Sequence, residues 1–299
     1  MPELPEVENL RLGLESKLLG QKIKNVKVRK PKLVSGKGTL RTASTKKVKE
    51  FETGLTNETF LKIERRAKNL IFKFKSGKLL LVHLKMSGQF VYKGATGGKK
   101  IIGGHPIEIS EKEIPNKHTH VTFELNKGSL YYNDTRMFGY LLYYPTPKKF
   151  DDAKHFELLG LEPLDKNFTS KYLLESLKNK NGKIKAVLMN QEIVTGLGNI
   201  YAVESLFESK IKPTRPANSL NKNEVELLHK AIVRIIKRAI QVGGSSVATY
   251  RLLDESMGNY AREHKVYGKS GGKCPRCKTS LEKTTVQTRT TIFCPNCQK

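Results

Sequence analysis

Two stretches of this chain hold residue types that could do covalent or metal chemistry. At the start, Met1-Pro2-Glu3-Leu4-Pro5-Glu6-Val7-Glu8 sets a proline beside a carboxylic acid. A small second residue permits loss of the initiator methionine, after which the chain would begin with a secondary amine. An unprotonated amine attacks electrophilic carbon. Because proline nitrogen already bears two carbons, its adduct with a sugar C1′ would be a permanently cationic iminium, a strong electron sink. Glu3 stands next to it as proton donor and acceptor. The same residues also read as an ordinary helix start, with Pro5 and Glu6 in the first turn. On the terminus alone both readings stand.

At the other end, Cys274-Pro275-Arg276-Cys277 and Cys294-Pro295-Asn296-Cys297 are two CxxC pairs with 16 residues between them. That is the spacing of a four-cysteine zinc site. Every cysteine in the chain is used, so no disulfide is expected. Four thiolates leave no open coordination position, which makes the expected zinc structural. The β-prone runs Thr284-Thr285-Val286 and Thr291-Ile292-Phe293 flank Arg289 and predict a zinc-ribbon hairpin with Arg289 near its tip.

The charge balance points to a polyanion. The 299 residues carry 55 Lys+Arg against 28 Asp+Glu, a formal charge of +27. Such an excess repels itself in a compact state, so nucleic acid is the leading partner. No continuous apolar run is long enough to span a bilayer, and the acidic, amphipathic N-terminus is unlike a signal peptide. The expected setting is a soluble, cytoplasmic one, and the length is that of roughly two domains.

The elements that must position these groups follow from periodicity. Val7, Leu10, Leu14 and Leu18 recur at three- and four-residue steps and predict an amphipathic helix from Pro5 to Gly20 that anchors the first residues. Residues 21 to 50 hold eleven Lys/Arg and one acid and read as a solvated, basic face. Strand pairs are expected at Leu70–Lys75 with Leu79–Leu84 and at His120–Leu125 with Ser129–Tyr132, followed by Phe138–Tyr144. Strands so spaced predict a two-sheet sandwich. Between them, residues 94 to 117 form a loop with five glycines. Past Pro145-Thr146-Pro147 the pattern turns helical, with helices expected at Ala153–Leu161, Ser170–Leu177, Lys185–Met189, Asn199–Ser209 and Lys222–Val242.

Several pieces within this frame could meet nucleic acid. Met86 in His83-Leu84-Lys85-Met86-Ser87-Gly88, and Arg136 and Phe138 in Asn133-Asp134-Thr135-Arg136-Met137-Phe138-Gly139, suit either a wedge that opens a base stack or core packing beside a surface charge. The turn Thr195-Gly196-Leu197-Gly198 leads into Asn199 as a helix N-cap. Such a turn exposes unpaired amides to a phosphate, and it would equally serve as a packed helix corner.

Taken together, in order and along the whole chain, the Met1–Glu8 start, His83–Gly88, Asn133–Gly139, Thr195–Ala202, Val266-Tyr267-Gly268 and the double CxxC ending in Gln298-Lys299 resemble the formamidopyrimidine-DNA glycosylases. The resemblance implies an α+β protein. An N-terminal helix and antiparallel β-sandwich (1–147) would be followed by a helix-two-turn-helix domain with a lesion-capping loop (148–262) and a zinc-finger hairpin (263–299). It implies a base-excision repair enzyme that removes oxidised purines, 8-oxoguanine and formamidopyrimidines, from duplex DNA and then nicks the strand by β- and δ-elimination. By motif position, Pro2 would be the nucleophile, Glu3 the general acid, Glu6 its support, and Lys68 the contact to the lesion phosphate. His83, Lys185, Asn199, Tyr267 and Arg289 would hold flanking phosphates. Met86, Arg136 and Phe138 would fill the gap left by the flipped nucleotide, with Arg136 facing the orphaned cytosine. Ser245, Val247, Thr249 and Tyr250 would belong to the loop over the flipped base. One structural zinc on Cys274, Cys277, Cys294 and Cys297, damaged double-stranded DNA as partner, a monomeric state and a nucleoid-associated location complete the expectation.

The sequence departs from the family pattern at Ala67, a place often held by glycine, at Ala248, where an arginine is common, and over Leu252–Met257, which lacks the usual turn glycine. A second reading, a zinc-ribbon nucleic-acid binder without chemistry, shares the ribbon and the charge. The Pro2-Glu3 terminus kept together with Lys68 distinguishes the two.

Overall fold

The computed structural model describes residues 1–38, 41–95, 101–104, 114–245 and 259–299. They divide into two compact units: Met1–His155 with the segment beginning at Gly243, and Phe156–Val242 with Asn259–Lys299. The predicted α+β class holds.

The first unit opens with α1 (Leu4–Leu18), whose face of Val7, Leu10, Leu14 and Leu18 is buried as the periodicity requires. Two antiparallel sheets follow. One has the order β2 (Phe60–Arg66), β3 (Asn69–Phe74), β4 (Leu79–His83), β9 (Tyr140–Tyr144); the other runs β1 (Ile23–Val28), β7 (Thr119–Leu125), β8 (Gly128–Asp134), β5 (Gly88–Gly94), β6 (Ile101–Gly104). Their shared core takes Leu10, Leu14 and Leu18 from α1 together with Phe60, Phe72, Phe90, Val121 and Tyr132. The last strand leaves β8 and crosses to β4, pairing Tyr140 with His83. The crossing segment, Thr135–Gly139, therefore lies at the rim where both sheets end.

Two features of this unit differ from the sequence reading. The basic stretch conceals a helix, α2 (Thr45–Leu55), capped by Ser44 and burying only Phe51 and Leu55. So few apolar residues among lysines leave a weak periodic signal. The helix expected at Ala153–Leu161 is instead α3 (Pro147–Asp152). Thr146 caps it and Pro147 fills its first position, a start signal rather than a linker, and Lys154 with φ +47 ends it.

The second unit contains α4 (Ser170–Leu177), α5 (Ile184–Leu188), α6 (Asn199–Glu208), α7 (Lys222–Gln241) and α8 (Tyr260–Glu263), then the hairpin β10 (Glu282–Val286) and β11 (Arg289–Phe293). Cys274, Leu281, Ile292 and Cys294 of the ribbon share a core with Val203 and Phe207 of α6. Gln298 ties the end of the ribbon down, accepting from Cys294 N–H and donating to the Ile211 carbonyl, both at 2.8 Å. Among the described residues no helix is long and apolar enough to cross a membrane.

Candidate functional site

The N-terminal residues are held rather than frayed. Pro2, Glu3 and Glu6 are buried, while Met1 is 47 % exposed. Glu3 and Glu6 form a capping box at the start of α1. In it, one Glu6 oxygen accepts the Glu3 N–H at 2.8 Å. Its other oxygen accepts the N–H of Ser245 at 2.7 Å. A single carboxylate thus joins the N-terminus to the first residue of the expected lesion loop. Gly244 makes this approach possible: it sits at φ +81, and a Cβ there would lie 2.9 Å from the Glu6 oxygen. Val247, Thr249 and Tyr250, with Ala248 and Leu252–Met257, lie outside the described residues.

Lys68 is carried by the two-residue turn between β2 and β3, where Arg66 pairs with Asn69. Ala67 adopts φ +56 there, the left-handed region that explains why glycine is common at this place. The turn is braced by Arg65, which donates to the Ala67 carbonyl and to Glu8 of α1. Burial alone would raise the Glu8 pKa, but hydrogen bonds from Arg11 and Arg65 outweigh it and hold the carboxyl below its ordinary value.

Lys68 lies close enough to His83 for its charge to act on the imidazole. Burial, followed by Lys85 and Lys68, pushes the His83 pKa down to about 3. His83 is consequently neutral. Its Nδ1 accepts the Lys85 N–H at 3.0 Å, which leaves Nε2 as the protonated nitrogen. This side chain can offer a phosphate a neutral N–H donor, not a cation.

The three residues expected to fill a vacated duplex position converge. The Arg136 guanidinium lies 4.9 Å from the centre of the Phe138 ring, and its Nη1 is 3.4 Å from the Met86 sulfur. Met137 and Phe138 are 43 % and 44 % exposed. Core packing is therefore excluded for Phe138. What holds this segment out is Asp134, which is fully buried: its carboxylate accepts N–H groups from Arg136, Met137 and Gly139 at 3.2, 3.0 and 2.8 Å. Ser87 Oγ and Tyr132 Oη also donate to it.

In the second unit Asn199 is the first helical residue of α6, and the N-cap is Gly198. The correction has a simple cause: the glycine takes the extended cap conformation and frees the asparagine side chain for another task. Asn199 Nδ2 donates to the Thr290 carbonyl at 3.2 Å, linking the start of α6 to the hairpin beside exposed Arg289. Lys185 is fully buried at the start of α5. Tyr267 is set by Glu204, 2 % exposed, which accepts the N–H groups of Lys265, Val266 and Tyr267 at 2.8, 3.0 and 2.7 Å. Asp134 and Glu204 were not singled out from the sequence, where an acid amid basic and apolar residues looks like any surface charge. The available signal was position, since Asp134 lies within the Asn133–Gly139 motif and Glu204 just past Thr195–Ala202.

The sulfur atoms of Cys274, Cys277, Cys294 and Cys297 all lie within 4.8 Å of one another. Two of the pairs are at 3.9 and 3.5 Å. Metal–sulfur bonds of about 2.3 Å place tetrahedral thiolates about 3.8 Å apart, so the four residues fit one structural zinc ion.

Comparison with known proteins agrees at every level. Residues 1–141 match the family model described as formamidopyrimidine-DNA glycosylase N-terminal domain, 159–251 the H2TH domain of the same enzymes, and 271–299 the zinc finger found in FPG and IleRS. The formamidopyrimidine-DNA glycosylase of Bacillus cereus (strain ATCC 10987 / NRS 248) is 39 % identical over 301 residues, covering 100 % of this chain and 99 % of that one. That of Ligilactobacillus salivarius is 38 % identical with the same coverage. Among solved structures, a Lactococcus lactis FPG mutant in complex with Fapy-dG-containing DNA superposes with a TM-score of 0.85 at 35 % identity, covering 100 % of both chains. The Lactococcus lactis Fpg with abasic-site DNA gives 0.85 at 34 % identity and 99 % coverage of each. The chain belongs to the formamidopyrimidine-DNA glycosylase family.

Proposed function

We propose that this DNA glycosylase and AP lyase of base-excision repair works through Pro2, freed of Met1, as its nucleophile. The unprotonated nitrogen bonds to C1′ of the damaged nucleotide as the bond from C1′ to the base breaks and the base leaves with a proton. Glu3 protonates the sugar ring oxygen as the ring opens, giving a cationic iminium. That iminium drains electrons from C2′, whose proton is lost as the 3′ phosphate departs. A second elimination releases the 5′ phosphate. Lys68 holds the lesion phosphate, while His83, Lys185, Asn199, Tyr267 and Arg289 grip its neighbours without reading sequence. Met86, Arg136 and Phe138 occupy the vacated place in the stack, offsetting part of the few kcal/mol that unstacking costs.

The observation that carries this reading is the Glu6 carboxylate bound at once to Glu3 and Ser245, because a mere DNA binder has no use for a buried link from its terminus to a loop. Oxidised purines in duplex DNA, 8-oxoguanine and formamidopyrimidines, are the proposed substrates. The protein would act as a monomer in the cytoplasm, at the nucleoid, with the β-sandwich, helix-two-turn-helix and zinc-hairpin regions as its three working parts. The zinc supplies folding free energy to the hairpin and takes no part in the reaction. Borohydride should trap a covalent adduct with an 8-oxoguanine duplex, and Pro2→Gly or a retained Met1 should abolish it. Undiminished trapping in both variants would exclude the nucleophile.

A further inference from the structure

The segment that presents Arg136 and Phe138 is gripped through both halves of its backbone polarity. Its N–H groups point to the Asp134 carboxylate, as described. Its carbonyls point the other way, to Arg41. Nη1 of Arg41 donates to the Met137 carbonyl at 2.8 Å and to that of Gly139 at 2.9 Å, and Nη2 donates to the Phe138 carbonyl at 2.9 Å. Nε reaches the Gly38 carbonyl at 3.4 Å. A guanidinium has five N–H bonds in a rigid fork, so four of them are engaged with carbonyls and the group is poorly placed to serve as a phosphate ligand.

This grip opposes a real tendency. Met137 stands at φ +52, a left-handed conformation disfavoured for a side chain of its kind. It and Phe138 each keep more than two-fifths of their surface in water, where apolar area is unfavourable. A loop with unsatisfied amides and carbonyls would relax by folding these side chains inward. With the amides on an anion and the carbonyls on a cation, the backbone has no reason to do so.

We propose that Arg41 is a positioning residue for the opening of the duplex: it fixes the segment that fills the vacated position and touches neither the nucleophile nor the lesion. The proposal rests on the reading above, in which Arg136 and Phe138 enter the stack. It separates base excision from duplex DNA, which needs the wedge, from strand cleavage at an abasic site in single-stranded DNA, which has no stack to open. Arg41→Ala should lose about tenfold or more in single-turnover excision of 8-oxoguanine from duplex, or about 1.4 kcal/mol. It should also lose the fluorescence rise of a 2-aminopurine placed beside the lesion. Cleavage of a single-stranded abasic oligonucleotide should stay unchanged. Arg41→Lys, which keeps the charge but cannot span three carbonyls, should show the same pattern with a smaller loss, and it serves if the alanine variant does not fold. Equal losses on the two substrates, no loss on either, or a salt dependence of duplex affinity lowered by about one charge would overturn the proposal. Wild-type protein that cuts neither substrate would sink the glycosylase reading itself, whereas an Arg41→Ala variant that matches wild type on both sinks only the clamp.

Discussion

Replacing Glu6 by glutamine tests the link between the terminus and the loop most directly. The side chain is 2 % exposed, and both oxygens accept backbone N–H groups, one from Glu3 at 2.8 Å and the other from Ser245 at 2.7 Å. Glutamine has the same shape but offers one oxygen and one NH2. At whichever end the NH2 lands, a donor faces a donor. A hydrogen bond to a charged acceptor contributes roughly 1.5–3 kcal/mol, and the surviving bond weakens when its acceptor becomes neutral. The expected cost to folding is therefore about 2–4 kcal/mol, or about 5–10 °C in Tm for a unit of this size. If the lost bond also persists in the transition state, excision slows about ten- to a hundredfold. Gly244→Ala should act in the same direction, because its Cβ would press on the same oxygen from a strained φ.

The assay compares single-turnover excision of 8-oxoguanine with cleavage of a preformed abasic duplex. Excision should fall further, since in the proposed mechanism only that step needs a base held by the loop expected to start at Ser245. A Glu6→Gln protein within about 1 °C of wild type that excises at the wild-type rate would refute the reasoning.

Three further outcomes follow from the geometry. Gly139→Ala places a Cβ 1.8 Å from the Tyr132 hydroxyl and 2.9 Å from Asp134, an overpacking that should cost about 3 kcal/mol and blunt excision from duplex; a thermal melt indistinguishable from wild type would refute it. Stability should fall as the pH drops from about 6.5 toward 5, before carboxylates protonate. Burial pushes His83 down to about 3 and His264 to about 4, with Lys85 and Lys68 adding to the first and Lys269 to the second. The unfolded chain therefore takes up protons the native state refuses, about 1.4 kcal/mol per pH unit for each group. Denaturant midpoints between pH 7.5 and 5 check this, and His83→Gln should make the curve of the first unit shallower by one group's share, because burial also pushes down His155, to about 4, and His120 in the same unit. Removing zinc, by chelation or Cys294→Ser, should unfold the hairpin and lower duplex affinity, with amide protection in β4 and β9 retained; undiminished affinity would take the hairpin off the binding surface.

What the sequence made legible was local. The cysteine spacing, the heptad-like face of α1 and the strand pairs at β3–β4 and β7–β8 each depend on neighbours within a few residues, so side-chain type and period suffice. What escaped depends on the third dimension. The cap at Asn199 moved by one residue because either a glycine or an asparagine can take the cap position, and only the carbonyl of Thr290, 91 residues away in sequence, decides between them. The strain at the hairpin tip, where Gln287 and Thr288 have φ +46 and +60, is likewise invisible in a run of threonines. Such conformations in non-glycine residues, the last one β-branched, persist only where surrounding structure imposes them.

The deeper reason is that the basic residues alone do not make a site. Arg136, Tyr267 and the terminal residues each stand on a backbone turn set by one buried acid, Asp134, Glu204 or Glu6, and each acid accepts two or three amides. In a chain of charge +27 these anions are hidden by number, yet the placement of Arg136, Tyr267 and the terminus depends on them. The two classes should therefore fail differently. Losing one phosphate-binding cation should weaken binding to every sequence and lower the salt slope by about one. Asp134→Asn removes no cation but turns an NH2 toward the Arg136, Met137 or Gly139 amides and loosens the turn that carries Arg136, so duplex excision should drop while the phosphate contacts, and with them the salt slope, stay. An Asp134→Asn variant whose defect is a reduced salt slope with normal excision at saturating DNA would show that the carboxylate does not set the wedge.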